Sequence, residues 1–423
     1  MLFLYRLGIA VFSLLMRIAA FWHPKAKLWV QGRQHLLDRI ARETQGWDSS
    51  AWFHFASLGE FEQGRPVMEA LKKARPELKI VVTFFSPSGY EIRKNYAGAD
   101  KVFYLPMDTP RNAASFIRLI KPEMAVFTKY EYWFFYFLEL YRQEIPLYMI
   151  SSIFRPDQVF FKWYGGLHRH MLAYVKHFFV QNEESKSLLG SLGFQNTSLA
   201  GDTRFDRVAA LSQHPKKIKE VAEFCEDRKV LVAGSTWPED EALLATLLLQ
   251  HPDWKLIIAP HEVSSGNIEH LCDLLPSGGW IKLSELMSPE STVNSQQSIE
   301  NSRLKTEDYK VLIVDTIGLL STLYAYGDIA YIGGGFGKGI HNTLEAATYG
   351  VPIIFGPNYQ KFQEAKDLIS EGAGFSIANA EELKDTFQQL TDAGYRNKAG
   401  TGAKYYVQSR VGATEIILKQ LLK

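Results

Sequence analysis

Residues 333 to 339 contain five glycines in seven positions, Gly333, Gly334, Gly335, Gly337 and Gly339, and His341, Asn342, Thr343 and Glu345 follow closely. The stretch follows an apolar run that reads as a strand and leads into what reads as a helix. Glycines let backbone approach a ligand closely and adopt positive φ. A helix beginning near Asn342 would aim unpaired N–H groups and its positive dipole end at the same space, which suits a phosphate. Lys338 adds a cation, and Glu345, one turn in, suits ribose hydroxyls. The competing reading is a tight strand–helix turn whose glycines serve packing alone. The spacing fits neither a dinucleotide fingerprint, which needs an acid about 20 residues on, nor a P-loop with its Gly-Lys-Ser/Thr ending.

Two carboxylates stand at the carboxyl ends of other candidate strands. Glu60 belongs to Ser57-Leu-Gly59-Glu60, where Gly59 allows a tight turn before a helix. Such a carboxylate can act as a general base on an acceptor hydroxyl, or it can simply complement a helix dipole. Glu131, within Lys129-Tyr-Glu-Tyr-Trp133, can hold sugar hydroxyls or cap the next helix. Further loops fall at the same end: Ser86-Pro-Ser88-Gly89, Gly234-Ser235-Thr236 and Pro260-His261-Glu262. Each can present donors to a ligand, and each also reads as an ordinary turn. The segment 154–177 mixes Arg155, Lys162, Arg169 and Lys176 with Phe160, Phe161, Trp163 and Tyr164, which reads either as a solvated face or as a match for an acidic lipid surface. The chain has no Asp-x-Asp, so no metal bridging nucleotide phosphates is indicated.

The elements that must position these residues alternate. Strands are expected at 51–57, 78–85, 101–105, 123–128, 146–151 and 177–181, with helices at about 61–74, 88–96, 109–120, 131–143 and 183–192 between them. A second series has strands at 229–234, 254–259, 279–283, 310–314, 328–332, 351–354 and 374–377. Nearly continuous apolar strands separated by helices imply doubly wound parallel sheets. The polar run 287–309 reads as a mobile surface loop. Two such domains in tandem would bind a ligand in a cleft at the carboxyl ends of their strands.

With 423 residues and 46% apolar content, the chain is long enough for two cores and is not disordered. A net charge of +1 argues against nucleic acid bound through bulk charge. Cys225 and Cys272 form no metal spacing and no disulfide framework. Charge is concentrated at the start, where residues 1–40 carry six Arg and Lys against Asp38 alone. Only ten residues separate Arg6 from Arg17, against about 20 needed to span a bilayer. On a helix Arg6, Ser13 and Arg17 fall within roughly 20° of one another. One polar stripe on an otherwise apolar helix suits an interfacial or tilted membrane helix, with packing on the protein's own core as the competitor.

At these residues the chain resembles the 3-deoxy-D-manno-octulosonic acid (Kdo) transferases of lipopolysaccharide synthesis. The points of likeness are Ser57-Leu-Gly-Glu60, Ser86-Pro-Ser-Gly-Tyr-Glu91, Tyr104-Leu-Pro-Met-Asp-Thr-Pro110, Glu131 with Trp133, Gly201-Asp-Thr-Arg-Phe-Asp206, Ala233-Gly-Ser-Thr236, Asp315-Thr-Ile-Gly318 and Gly339-Ile-His-Asn-Thr-Leu-Glu345. The resemblance implies a GT-B fold of two Rossmann-like domains, with residues 1–22 a membrane-anchor helix, 23–210 an acceptor-binding domain and 211–423 a CMP-sugar-binding domain whose last helix packs back on the first. It implies CMP-Kdo as donor, a lipid A precursor (lipid IVA) as acceptor, inversion at the anomeric carbon, no cofactor, and a place on the cytoplasmic face of the inner membrane. Glu60 would be the base and Glu131 a second essential acid. Gly234, Ser235, Thr236, His261, Gly334, Gly335, Lys338, Gly339, His341, Asn342, Thr343 and Glu345 would hold the donor. Ser57, Gly59, Ser86, Ser88, Gly89 and Arg155 would meet the acceptor. Where the family reads Pro-Arg-His, this chain has Pro260-His261-Glu262, so Lys338 is the candidate replacement cation. The alternatives are a GT-B enzyme using a UDP-sugar and a non-catalytic membrane-surface protein with a degenerate nucleotide site.

Overall fold

A computed structural model describes residues 1–213, 215–288 and 309–423. Most of the polar run 287–309 therefore lies outside the described residues. The chain divides into two compact units, one of Met1–Arg207 with Arg410–Lys423, the other of Val208–Ser409.

The first unit is built on a seven-stranded parallel sheet. Its strands are β1 (Ser50–Phe55), β2 (Lys79–Phe84), β3 (Lys101–Tyr104), β4 (Pro122–Thr128), β5 (Leu147–Ser152), β6 (His177–Val180) and β7 (Thr197–Leu199), in the order β3-β2-β1-β4-β5-β6-β7. The short edge strand β7 has no counterpart in the sequence reading, because three residues, two half-buried and Leu199 exposed, carry no periodic signal. All six residues of β1 are buried. Its alternate side chains feed two cores: Trp52 packs with Val81, Phe116 and Phe127 on one face, while Phe53 and Phe55 pack with Ile80, Val82 and Phe84 on the other. This two-sided cover is why the strands read as unbroken apolar runs.

Helices α1 (Leu2–Ala19), α2 (Pro24–Gln31) and α3 (Leu36–Glu43) precede β1, and α4 (Leu58–Ala74) and α5 (Pro87–Arg93) follow β1 and β2. Local chemistry sets the helix starts. Ser86 accepts a hydrogen bond from the Ser88 N–H with Pro87 at the first helical position, and Thr109 does the same for Asn112 ahead of Pro110. The last helix, Ala413–Leu421, belongs to this unit, where Ile417 and Leu421 join the core beside α4. Its start is held by Asp206, whose carboxylate accepts from the N–H groups of Gly412 and Thr414 and from the Thr414 hydroxyl. Part of the Gly201–Asp206 motif thus serves as a structural joint.

The second unit has its own seven-stranded parallel sheet. Strands β8 (Lys229–Thr236), β9 (Trp254–Pro260), β10 (Trp280–Lys282), β11 (Val311–Ile313), β12 (Ile329–Ile332), β13 (Ile353–Phe355) and β14 (Gly374–Ser376) lie in the order β10-β11-β9-β8-β12-β13-β14. Leu231, Leu256, Ile258, Ile313 and Tyr331 fill its core. The fold class is therefore α/β with two doubly wound sheets.

Candidate active site

Both carboxylates of the first unit sit where the strand order turns round. β1 and β4 are neighbours in the sheet, although β2 and β3 separate them in sequence. Open α/β sheets bind ligands beyond the carboxyl ends of the strands at such a switch point. The chain leaving β1 carries Glu60 and the chain leaving β4 carries Glu131.

Ser57 is the N-cap residue of α4, and its hydroxyl donates to Glu60 Oε2 at 2.5 Å. Glu60 is half-buried in the first turn of α4, just past the end of β1, so a helix-end position and a place at the strand's mouth are compatible. Glu131 departs from expectation. The next helix begins only at Phe134, after a Trp133 N-cap with no side-chain capping bond. Glu131 therefore lies in the loop and caps nothing. The preceding Lys129 adopts φ 58°, a left-handed conformation unusual for a lysine.

Glu131 is held from behind. Its Oε2 is 3.0 Å from His54 Nε2 and accepts from the Trp133 indole at 2.9 Å. His54 Nδ1 meets Thr83 Oγ1 at 2.8 Å, and that oxygen accepts from the Trp52 indole at 2.8 Å. With the His54 proton on Nε2, that nitrogen donates to the carboxylate and Nδ1 accepts from the Thr83 hydroxyl. The reverse tautomer would set a lone pair against the carboxylate. The hydroxyl of Tyr130 senses Arg155, Glu60 and Asp157, while burial, the larger influence, pushes its pKa up.

The remaining acceptor-side residues divide. Ser86 and Ser88 hydroxyls lie 2.9 Å apart on the exposed first turn of α5, and Arg155 is exposed. Gly89 is explained by packing, since a Cβ there would stand 2.2 Å from the Phe84 ring.

In the second unit the switch point falls between β8 and β12, and both ends carry the anticipated loops. Ser235, after the core of β8, takes φ 54°, and Gly334, after β12, takes φ 88°. Asp240 ties the two loops: its carboxylate accepts from the N–H groups of Trp237 and Gly334, both at 2.9 Å, and from the Tyr331 hydroxyl at 2.7 Å. Gly335 lies against Gly356 so closely that a Cβ would come within 2.5 Å of that backbone. Gly234 likewise leaves room for the Tyr324 hydroxyl, and Thr236 donates to Glu241 at 2.9 Å.

Two expectations for the glycine loop need correction. The helix after it, Leu344–Ala347, is a single turn, and its first turn is capped by Asn342, whose side-chain oxygen accepts from the Leu344 N–H. A one-turn helix sums few peptide dipoles, so little of the anion attraction comes from a macrodipole. The N–H groups of Gly337 and Gly339 fold back onto the Gly334 carbonyl, and that of His341 onto Gly333. The packing reading thus accounts for part of the loop. Lys338 is exposed at its tip; Thr343 is buried, and Glu345 is half-buried close enough to Tyr324 and Tyr349 to raise their pKa values behind the larger effect of burial.

A stack of rings borders the loop. Trp237 lies over His261 at 4.9 Å, and His261 over His341 at 4.2 Å. The Trp237 indole donates to His341 Nε2 at 3.2 Å. An indole N–H only donates, so His341 keeps its proton on Nδ1. Burial, assisted by His261, brings the His341 pKa down to about 4. His341 is therefore a neutral hydrogen-bond donor at ordinary pH. Sequence reasoning missed His54, Thr83, Trp237 and Asp240. The available signal was a histidine inside an otherwise apolar strand.

Comparison with known proteins fits this geometry. Residues 30–207 match the profile of a family described as 3-deoxy-D-manno-octulosonic-acid transferase (kdotransferase). The chain is 28% identical to the 3-deoxy-D-manno-octulosonic acid transferase of Chlamydophila psittaci, over 81% of this chain and 77% of that one. It is 26% identical to the enzyme of the same name from Haemophilus influenzae, over 81% and 82%. Among solved structures, UDP-GlcNAc 2-epimerase of Neisseria meningitidis superposes with a TM-score of 0.60 at 19% identity, covering 88% of this chain and 99% of that one. This last likeness carries the GT-B fold alone.

Proposed function

We propose, from the match of residues 30–207 to the Kdo transferase profile and the likeness to two Kdo transferases over 81% of the chain, that this chain is a Kdo transferase that moves Kdo from CMP-Kdo to the lipid A precursor lipid IVA at a membrane surface. The observation that carries this reading is the position of Glu60 and Glu131, both inside the family-matched stretch and both at the switch point of the first sheet.

In the proposed step Glu60 takes the proton of the acceptor hydroxyl as its oxygen bonds to the anomeric carbon. The bond from that carbon to the CMP phosphate oxygen breaks on the opposite face, with inversion, and CMP departs with the electron pair. Positioned general bases contribute about 10²–10⁴ in rate. Glu131, held in one orientation by His54 and Trp133, orients the sugar or the acceptor. The loop after β12 and the neutral His341 hold the nucleotide by hydrogen bonds, and Lys338 is the mobile cation for its phosphate. No metal enters the scheme.

Membrane association has its own support. α1 is long and apolar enough to cross a membrane, and Phe3, Leu4, Leu7, Leu14 and Leu15 are exposed along it. The exposed Trp163 and Tyr164 lie in the chain just before Gly166, where a Cβ would stand 3.9 Å from Met1. Aromatic residues of this kind favour the headgroup region. A helix attached to the body along one side, with its outer side apolar, suits a cytoplasmic-face anchor.

The test is transfer from CMP-Kdo, generated in situ, to a tetraacylated lipid A precursor in detergent, followed by mass spectrometry. Product heavier by one or more Kdo residues supports the proposal. No product beside an active control transferase removes it.

A further inference from the structure

The polar stripe of α1 runs along the body of the first unit. Arg6 lies over the Phe135 ring, and Ser13 and Arg17, the latter exposed, border an open cavity of about 660 Å³ lined also by α2, the start of α3 and the loop after β3. An adjoining cavity of about 460 Å³ runs along the same stripe from Arg6 to Arg17.

Two features of the larger cavity stand out. Arg33 is half-buried, and its guanidinium donates only to carbonyl oxygens, those of Trp29, Phe85 and Leu105 at 2.8 to 3.1 Å. It lies over the rings of Trp29, Tyr104 and Phe85, and no carboxylate pairs with it among the described residues. Burial brings even this guanidinium down to about 9. A buried cation without a counter-ion is costly unless an anion arrives. Independently, Trp29 lines the cavity, and its indole N–H is buried at the cavity wall with no hydrogen-bond partner among the described residues. Buried donors are rarely left unpaired without a reason. Asp38 is the opposing charge at the rim, and its exposed side chain lies 3.7 Å from His35.

We propose that this cavity binds the phosphate of an anionic membrane lipid, with Arg33, Arg17 and the Trp29 N–H as its donors. A free phosphate has the same chemistry. A lipid is assigned because the outer side of α1 is apolar, so acyl chains would lie along Leu14, Leu15 and Ile18 while the headgroup enters beneath the helix. The site holds such a lipid whichever sugar the protein transfers. It also touches the candidate acceptor loop, since Arg33 donates to the carbonyl of Phe85, the residue before Ser86.

The test is binding of the full chain to phosphatidylcholine vesicles with and without phosphatidic acid, for the wild type and for Trp29→Phe, Arg17→Gln and Lys25→Gln. Trp29→Phe removes one N–H and no charge, so a merely electrostatic surface would not respond to it. The expected result is a loss of about fivefold or more in the phosphatidic-acid-dependent affinity for Trp29→Phe and a larger loss for Arg17→Gln than for Lys25→Gln, which removes the same charge outside the cavity. Equal binding of wild type and Trp29→Phe overturns the proposal. Should Trp29→Phe fail to fold, equal losses for Arg17→Gln and Lys25→Gln overturn it. In a second arm, inorganic phosphate that raises the melting temperature of the wild type as much as the phosphatidic acid vesicles do removes the lipid assignment.

Discussion

His54 Nε2 lies 3.0 Å from Glu131 Oε2 while the imidazole itself is wholly buried in β1. This pair converts a loop carboxylate into a fixed one. Thr83 meets the far ring nitrogen of His54, His54 supplies one donor to Glu131 and Trp133 the other. A carboxylate receiving two such bonds loses its freedom to rotate.

If His54 positions Glu131, then His54→Gln and Thr83→Val will both slow transfer, and neither will slow further an enzyme that already carries Glu131→Gln. Losses that simply add in the double variants would make the two residues purely structural.

Replacement of Glu60 by Gln preserves the contact from Ser57 and the helix start, yet removes the base. The rate should fall by about 10²–10⁴ with little effect on melting temperature. Unchanged turnover would assign the proton transfer elsewhere.

Asp108 makes a stability prediction. It accepts from the Tyr5 hydroxyl and from the N–H groups of Phe135 and Tyr136, but burial outweighs these bonds and pushes its pKa up to about 6. The folded state thus holds a proton that the unfolded chain releases near 4. This contribution is fully present below about pH 4 and is lost as pH rises through about 6. The melting-temperature difference between wild type and Asp108→Asn should shift against the wild type across that window.

His341 has the opposite sign. Its folded pKa of about 4 lies below the ordinary histidine value, near 6.5. Its contribution is present above about 6.5 and is lost as pH falls toward 4. Relative to the wild type, His341→Gln should gain stability as the solution is acidified through this range. A flat difference would mean that the ring takes up a proton in place.

Deleting residues 1–21 should abolish flotation with anionic vesicles while leaving CMP affinity intact, because the residues proposed to hold CMP all lie in the second unit. The deletion also removes the Tyr5 hydroxyl from Asp108, so a modest drop in melting temperature is expected. Loss of CMP binding would make the segment part of the donor fold.

Most of the fold was legible because parallel strands covered on both faces must be apolar without alternation. The strands around Trp52, Val81, Ile257 and Tyr331 carry that signal plainly. The edge strand β7 carries none. Glu60, Glu131 and the glycine loop were legible as chemistry because they stand just past strand ends, where charge and glycine are otherwise unexpected. The helix near Asn342 was overestimated, since capping residues and a following apolar pair do not reveal that the helix stops after one turn.

The sequence by itself determined the two α/β series, the strand-end positions of both carboxylates, and the single polar stripe of α1, since each depends only on period, composition and local residue order. Tertiary structure alone decided that β1 meets β4 and β8 meets β12, that His54 reaches Glu131 across 77 positions, and that the α1 stripe borders the same cavity as Arg33. The physical reason is one of range. Local order specifies an element and its faces, but which element a face meets follows from burying apolar area and pairing buried polar groups across the whole unit.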